Sequence, residues 1–261
     1  MSEAKQSVEV QTSAVGRFIW YELSTKDVEA AKAFYSSVMG WEVEQFAGSM
    51  PYFIWKAGGE GVGGLMQMDD TPPAWLAYVY VDDVDGTLER ARELGGQVLV
   101  PGTDIPNVGR FAVLTDPQGA GIAVMRPTGE DRPRSLNAPG NVGWHELNTT
   151  ESTAALTFYS ALFGWQPATS MEMGEYGTYS IFRHRADAAD IWLGGMSDMA
   201  KHMSQPPHWL YYVNVDRMDA AIGRIEAGGG RVLNGPMEVP GGRAAQCLDP
   251  QGAVFAIFAS Q

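Results

Sequence analysis

The chain is 261 residues long, 45% of its residues are hydrophobic, and its formal net charge is −13. This length exceeds that of an ordinary single domain, so we expect two domains, each with its own core, and the apolar content excludes a disordered chain. The acidic charge, without a basic stripe, excludes nucleic acids and anionic membranes as partners, and no apolar run approaches the roughly 18 residues that span a bilayer.

The N-terminal segment and the single cysteine indicate the cellular setting. Residues Met1 to Val15 are polar and small and lack the charged-then-apolar pattern of a secretory signal, so we interpret residues 1–15 as a flexible tail. Cys247 has no second cysteine to pair with, which excludes an intramolecular disulfide and favours a cytoplasmic protein. The expected partner is a small molecule, and the chain is expected to be a monomer or a homodimer.

The first predicted elements are a strand and an amphipathic helix. An apolar segment, Phe18–Leu23, predicts the strand, and apolar residues at helical spacing predict a helix over about Val28–Met39. Thr25 or Asp27 can cap the start of this helix, and Gly40 suits the left-handed turn that ends it.

Short strands with glycine turns follow, and then the same order of elements begins again. A further strand leads into a second helix, which Gly95 and Gly96 close, and three more strands complete the segment. The order is therefore βαβββ, twice. The predicted elements are strands near Tyr52–Lys56, Gly63–Met68 and Trp75–Val81, a helix near Val84–Leu94, and strands near Gln97–Val100, Arg110–Thr115 and Ala120–Met125.

The second half of the chain repeats the first. Residues 16–41 recur as residues 140–165, with 12 of 26 positions identical at an offset of 124. Later segments recur at larger offsets, which places a longer hairpin near Arg183 to Asp190 in the second copy. These later pairs are residues 72–83 with 206–217 and residues 109–123 with 242–256.

The repeat and a segment rich in proline and charge define the predicted domains. The first domain covers residues 16–126, a linker covers 127–139, and the second domain covers 140–261. Each domain holds two βαβββ modules, so the fold class is α+β with four modules in two tandem domains.

Three motifs recur in order in both copies and carry a family resemblance. They are the AxxFYxxxxGW helix within residues 30–41 and 154–165, the GG(Q/R)V strand at 95–98 and 229–232, and the DPxGAxxx hairpin at 116–123 and 249–256. Together they resemble the glyoxalase/bleomycin-resistance/dioxygenase (vicinal oxygen chelate) superfamily, and most closely its tandem actinobacterial glyoxalase-like members labelled as hydroxylases. The resemblance implies a U-shaped cavity in each domain.

The same resemblance implies that enzymes of this superfamily hold a divalent metal with His, Gln or Glu side chains. In this sequence the matching positions carry tryptophan, leucine or alanine, which cannot bind a divalent cation. The segments at 63–66 and 194–196 also contain no histidine or carboxylate. We therefore expect neither a metal nor a cofactor. The matching positions are Trp20, Trp144, Leu76, Leu210, Ala123 and Ala256.

All four histidines lie in the second copy, which leaves one alternative open. His145 is one residue from a ligand position and His208 is two residues from another, so a β-bulge could turn His145 into the cavity. Strand alternation instead predicts that His145 faces the helix layer, as Tyr21 does in the first copy.

Glu22 and Glu146 are the candidate catalytic residues. Each shares a strand face with a tryptophan, Trp20 or Trp144, on a strand that is otherwise apolar. A buried carboxylate needs a cation or several hydrogen-bond donors, or it takes up a proton. The glutamates could pair with Arg110 and Arg243 to stabilise the sheet, or they could bind a ligand hydroxyl or act as a general base.

Aromatic and methionine side chains are expected to line the cavity and to bind a flat, largely apolar ligand, although such side chains also simply fill space. The candidate ligand-binding residues are Trp20, Tyr52, Met66, Tyr78, Arg110, Trp144, Tyr179, Met196, His208, Tyr212 and Arg243.

Three functions remain open at this stage, because a fold alone does not select one. The favoured hypothesis is a small-molecule binding protein without a catalytic metal. The second is a metal-dependent lyase, isomerase or dioxygenase with a degenerate site in the second domain. The third is a metal-free enzyme in which Glu22 or Glu146 is the general base.

Overall fold

The structure is a computed structural model, and it describes residues 14–48, 50–129, 136–187, 191–202 and 205–261. Most of the predicted tail, residues 130–135 of the predicted linker and residues 188–190 of the predicted longer hairpin lie outside the described residues.

The first copy consists of two βαβββ modules, as predicted. Its strands and helices are β1 (Phe18–Thr25), α1 (Val28–Met39), β2 (Glu42–Gln45), β3 (Tyr52–Ala57), β4 (Glu60–Gln67), β5 (Ala74–Tyr80), α2 (Val84–Glu93), β6 (Gln97–Ile105), β7 (Gly109–Thr115) and β8 (Gly121–Pro127).

The second copy repeats this order and adds two short 3-10 helices, Gly174–Tyr176 and Met199–Lys201. Its elements are β9 (Val142–Asn148), α3 (Ser152–Phe163), β10 (Gln166–Glu172), β11 (Thr178–Arg183), β12 (Gly194–Ser197), β13 (His208–Asn214), α4 (Met218–Ala227), β14 (Arg231–Val239), β15 (Gly242–Leu248) and β16 (Val254–Ser260).

Helix α1 begins and ends where the sequence predicts. Asp27 is the N-cap, and its side chain accepts a hydrogen bond from the backbone N–H of Ala30 at 2.9 Å. Gly40 has φ 72°, in the left-handed region, and its N–H donates to the carbonyl of Ser36. The buried face of α1 includes Phe34 and Tyr35.

Each copy forms one eight-stranded sheet in which its two modules pair with each other. In the first copy the strand order is β2-β3-β4-β1-β5-β8-β7-β6, and the second copy has the equivalent order. The first strands of the two modules, β1 and β5, are antiparallel neighbours at the centre of the sheet. The modules therefore pair within a copy, a question that the sequence left open.

The helix-facing sides of both sheets share one continuous hydrophobic core that includes residues of both copies. Reciprocal hydrogen bonds cross between the copies within this core. The Tyr35 hydroxyl donates to Asp249 at 3.0 Å, and the Tyr159 hydroxyl donates to Asp116 at 3.1 Å. Each aspartate lies in the DPQG turn of the other copy.

The opposite side of each sheet, which we call the open face, carries a separate and smaller apolar cluster. In the first copy this cluster is built around Tyr78, Ala123 and Met125. In the second copy it is built around Tyr212 and Ala256. These two open faces hold the residues that the sequence singles out as candidates for function.

Candidate ligand-binding site

Alternation along β1 determines which side chains reach the open face. Tyr21 and Leu23 are buried in the core between the copies, whereas Trp20 packs with the open-face cluster. Glu22 is two residues from Trp20, so its side chain points to the same face, and it is half-buried. The structure thus confirms that the tryptophan and the carboxylate share one face.

Glu22 is held by tyrosine hydroxyls from two different strands. Tyr52, on β3, donates to Oε2 of Glu22 at 2.9 Å, and Tyr78, on β5, donates to Oε1 at 3.0 Å. The indole N–H of Trp20 donates to the Tyr52 hydroxyl at 2.9 Å. Four of the predicted site residues therefore form one connected hydrogen-bond network.

A glycine makes room for the Tyr52 ring on the open face. Gly64 pairs with Glu22 on the neighbouring strand β4, and a Cβ added at Gly64 would overlap the Tyr52 hydroxyl. In the second copy a Cβ added at Gly195 would overlap the Tyr179 ring in the same way. The repeated glycine therefore allows a tyrosine hydroxyl to reach the carboxylate.

Glu146 has the equivalent network and two further donors. Tyr179 and Tyr212 donate to Oε2 of Glu146 at 3.2 Å and 3.1 Å. The side-chain amides of Asn148 and Gln246 donate to Oε1 at 3.2 Å and 3.3 Å. Trp144 donates to the Tyr179 hydroxyl at 2.8 Å, which repeats the contact between Trp20 and Tyr52.

Burial changes the acidity of both carboxylates and of the phenols around them. Desolvation raises the pKa of Glu22 and of Glu146, and the hydrogen bonds from the surrounding side chains counteract this rise. Desolvation, followed by the nearby charge of Glu22, raises the pKa of Tyr52 and Tyr78. These phenols are therefore neutral donors at physiological pH.

The expected pairing of Arg110 and Arg243 with the two glutamates is wrong. Arg110 donates to Asp85 and Asp104, at 3.0 Å each, and Arg243 donates to Asp219 at 3.0 Å. Each arginine is two residues from a buried core alanine on its strand, so it points to the helix side of the sheet. Hydrogen-bond donors hold both carboxylates, and at Glu146 the nearby His208 also lowers the pKa of the carboxyl.

Of the two methionines predicted to line the cavity, only Met66 has the position for it. Met66 pairs with Ser24 and follows Gly64 at a spacing of two, so it shares the open face. Met196 is fully buried in the core between the copies and pairs with Leu147. The prediction that Met196 lines the cavity is therefore wrong. When the two Gly-Gly pairs of the copies are aligned, Met196 corresponds to Leu65 and not to Met66.

The two histidines nearest the expected ligand positions do not converge. His145 faces the helix side, as alternation predicts, and its two ring nitrogens contact the Tyr21 hydroxyl and the Leu193 carbonyl at 2.6 Å and 2.7 Å. His208 is half-buried and lies four residues from Tyr212 on β13, so both side chains point to the open face. Its Nδ1 atom is 2.9 Å from the carbonyl of Pro206.

Two residues of the second site, Gln246 and Asn148, were missed by the sequence prediction. The repeat contains a signal for Gln246, because the equivalent position in the first copy is Val113 and a lone amide interrupts an apolar strand. Gln246 also donates to the Tyr212 hydroxyl at 3.2 Å, which connects it to the whole network.

Exposed apolar side chains lie beside both open-face networks. Met50 and Met68 are 61% and 36% exposed, and they flank the β3–β4 pair at the end that carries Tyr52. In the second copy Met171 is exposed and pairs directly with Tyr179. Such surface is available to an apolar ligand.

A small cavity of about 20 Å³ lies elsewhere, between the two copies. Its lining includes Tyr21, Trp41, Trp75 and Tyr211, and it contains none of the carboxylates. A volume of this size holds about one water molecule, so the open faces remain the candidate ligand site.

The side chains at the open faces do not fit a divalent metal. Each network offers one carboxylate with neutral phenols around it, to which the second network adds the amides of Asn148 and Gln246. The indole nitrogen of tryptophan is only a donor. A catalytic metal site needs at least three nitrogen, oxygen or sulfur ligands from the protein directed at one point. Among the residues that the structure describes, no group of three or more His, Cys, Asp or Glu side chains is placed to hold a metal ion.

Comparison with known families confirms the resemblance. A family model described as Glyoxalase/Bleomycin resistance protein/Dioxygenase superfamily matches residues 17–124 and 141–257. The chain belongs to this superfamily.

CFP32 of Mycobacterium tuberculosis, which is named as a glyoxylase, is 34% identical over 248 residues, 92% of this chain and 93% of its own length. The anthracycline biosynthesis protein DnrV of Streptomyces peucetius is 32% identical over 262 residues, 94% of this chain and 93% of its own length.

Solved structures of the superfamily share the fold. The Mn(II)-bound glyoxalase from Novosphingobium aromaticivorans superposes with a TM-score of 0.64 at 19% identity, over 95% of this chain and 83% of that one. Homoprotocatechuate 2,3-dioxygenase from Brevibacterium fuscum gives 0.67 at 16% identity, over 94% and 80%. Within the described residues, no helix is long and apolar enough to cross a membrane.

Proposed function

We propose that this protein binds a flat, largely apolar small molecule on the open face of its sheets and that it does so without a catalytic metal. The observation that carries this proposal is the set of side chains at the expected metal-ligand positions. In the first copy these are Trp20, Leu76 and Ala123, and in the neighbouring glycine segment the space at Gly64 holds the Tyr52 hydroxyl.

The chemistry of the open face supports an aromatic ligand. The Tyr78 and Phe111 rings lie with their centroids 6.1 Å apart in the apolar cluster that contains Ala123. Rings of this kind contribute large apolar contact area at a small loss of side-chain entropy. Glu22 is the single charged group of this network, and it can fix the orientation of a bound molecule.

Two relatives suggest different chemistry for this fold. The name of DnrV places that protein in anthracycline biosynthesis, and an anthracycline is a flat polycyclic molecule. The name of CFP32 suggests a glyoxylase activity. The open face of this chain favours the first kind of ligand, because its network lacks the donor set that a metal needs.

Fluorescence titration tests the proposal. An anthracycline and 1-naphthalenemethanol should quench the tryptophan emission of the full chain, and the Trp20→Phe variant should reduce this quenching. Trp41→Phe is the control, because Trp41 lies in the core between the copies, and it should retain the quenching. A stoichiometric manganese, iron, nickel or zinc content in protein purified without chelator would overturn the proposal.

A metal-free enzyme is the second candidate, and one observation favours it. Glu22 has a raised pKa and only two hydrogen-bond donors, so its carboxylate can accept a proton from a bound substrate. If this function is correct, Glu22→Gln should abolish turnover with little change in Tm. Turnover that persists in Glu22→Gln would exclude Glu22 as the general base.

A further inference from the structure

The two open-face carboxylates differ in how many of their acceptor positions the protein occupies. An ionised carboxylate has about four lone-pair positions. Glu146 receives four donors, two on each oxygen. Glu22 receives two, one on each oxygen. Glu22 therefore keeps one acceptor position on each oxygen for a ligand, whereas the acceptor positions of Glu146 are all used.

Particular substitutions between the copies cause this difference. The Gln246 amide, which donates to Glu146, is replaced by the Val113 side chain in the first copy. The second amide donor, Asn148, is replaced by Ser24. Valine has no donor, and the Ser24 hydroxyl donates to Met68 Sδ at 3.5 Å, so neither side chain donates to Glu22 and the carboxylate of the first copy is less satisfied than its counterpart.

Glu22 also lacks a positively charged partner among the residues that the structure describes. The nearest expected cation, Arg110, forms ion pairs with Asp85 and Asp104 on the other side of the sheet. The ion pairs of the described chain do not include Glu22. A desolvated carboxylate without a cation is costly, and a ligand cation that donates hydrogen bonds to it reduces that cost.

The surroundings of Glu22 also suit an organic cation. The faces of aromatic rings attract a cation through their electron density, and Trp20, Tyr52, Tyr78 and Phe111 belong to the same network and cluster as Glu22. The formal net charge of −13 attracts cations to the whole molecule.

We propose that the open face of the first copy binds an aromatic molecule carrying a protonated amine, and that the amine donates hydrogen bonds to the Glu22 carboxylate. This inference rests on the proposed function and adds the charge of the ligand and the copy that binds it. Glu146, with its acceptor positions filled, has a structural role in the second copy.

Three probes with the same ring test the charge requirement. Isothermal titration calorimetry on the full chain compares 1-naphthylmethylammonium, the neutral 1-naphthalenemethanol and the anionic 1-naphthaleneacetate. We expect the ammonium to bind about tenfold more tightly than the alcohol, since its hydrogen bonds to the carboxylate are charge-assisted. We expect a stoichiometry of one ammonium per chain and the weakest binding for the acetate.

Variants locate the effect. Glu22→Gln should remove the preference for the ammonium over the alcohol. Val113→Gln should reduce this preference, because the new amide can donate to Glu22 as Gln246 does to Glu146. Glu93→Gln is the control for lost charge, since Glu93 is an exposed carboxylate that pairs with Arg90, and it should keep the preference. Thermal melts verify that each variant is folded.

The outcomes separate this inference from the proposed function. Equal affinities of the ammonium and the alcohol for the wild-type chain, or a preference that persists in Glu22→Gln, would overturn the inference and leave the apolar binding site intact. If neither the three naphthalenes nor an anthracycline binds, the proposed function itself is wrong.

Discussion

Tyr21 and His145 occupy equivalent positions in the two copies, and their side chains meet in the core between the sheets. The Tyr21 hydroxyl lies 2.6 Å from Nε2 of His145. The Nδ1 atom of His145 lies 2.7 Å from the Leu193 carbonyl oxygen, which only accepts, so this nitrogen carries the ring proton. The Tyr21 hydroxyl is therefore the donor to Nε2. His145 is neutral, and Phe18 stacks on its ring with centroids 3.7 Å apart.

The buried His145 makes stability depend on pH. Burial lowers the pKa of His145 to about 4, so between pH 6.5 and pH 4 the unfolded chain binds a proton that the folded chain does not. Stability contributed by neutral His145 is therefore lost as the pH falls through this window. From pH 7 to pH 5, His145→Gln should lose about 2 kcal/mol less unfolding free energy than wild type in urea denaturation. Equal losses would show that His145 is not the titrating group.

Gly64 is predicted to be intolerant of a side chain. In Gly64→Ala the new Cβ displaces the Tyr52 hydroxyl from Glu22, and we expect a loss of about 1–3 kcal/mol in unfolding free energy. Gly223→Ala is the matched control, because Gly223 lies in helix α4 with open space around its Cβ position. This control should gain about 0.5–1 kcal/mol. Equal melting temperatures for the two variants would contradict the packing described for Tyr52.

The second open face should gain a binding site when its extra donors are removed. The double variant Asn148→Ser, Gln246→Val gives Glu146 the donor set of Glu22. We expect calorimetry with 1-naphthylmethylammonium to report a second bound molecule per chain. Adding Glu146→Gln to the double variant should return the stoichiometry to one. A double variant that folds and still binds a single molecule would show that the amide donors do not limit the second site.

Arg110 is predicted to contribute little to the stability of the fold. Its partners Asp85 and Asp104 are largely exposed, so Arg110→Ala should cost about 0–1 kcal/mol of stability. The affinity for 1-naphthylmethylammonium should not change, because the side chain lies on the helix side of the sheet. A tenfold loss of affinity would place Arg110 in the ligand site.

The sequence predicted the fold and the centre of the site because both depend on local periodicity. Alternation along β1 placed Trp20 and Glu22 on one face, and the repeat gave the second pair. The βαβββ order followed from helical and strand spacing. The pairing of β1 with β5 could not be predicted. The hydrophobic pattern of each strand is the same whether a module pairs with the other module of its own copy or with a module of the other copy.

The errors have one cause, which is register. Arg110 is three residues from Val113, so the two side chains point to opposite faces of the sheet. The sequence alone does not show which of them points to the open face, because that depends on how β7 pairs with β8. Met196 was aligned by residue type rather than by the preceding glycines. The predicted domain boundaries and the cytoplasmic location stay predictions.

The reciprocal contacts of Tyr35 with Asp249 and of Tyr159 with Asp116 mean that each half supplies a hydrogen bond that completes a turn of the other half. A single-copy ancestor with these contacts would have to assemble as a symmetrical pair, and every substitution in its gene would alter both open faces at once. Fusion of two gene copies removes that constraint. The positions of Val113 and Gln246 could then diverge independently, so that one polypeptide has two open faces of different chemistry around one shared hydrophobic core.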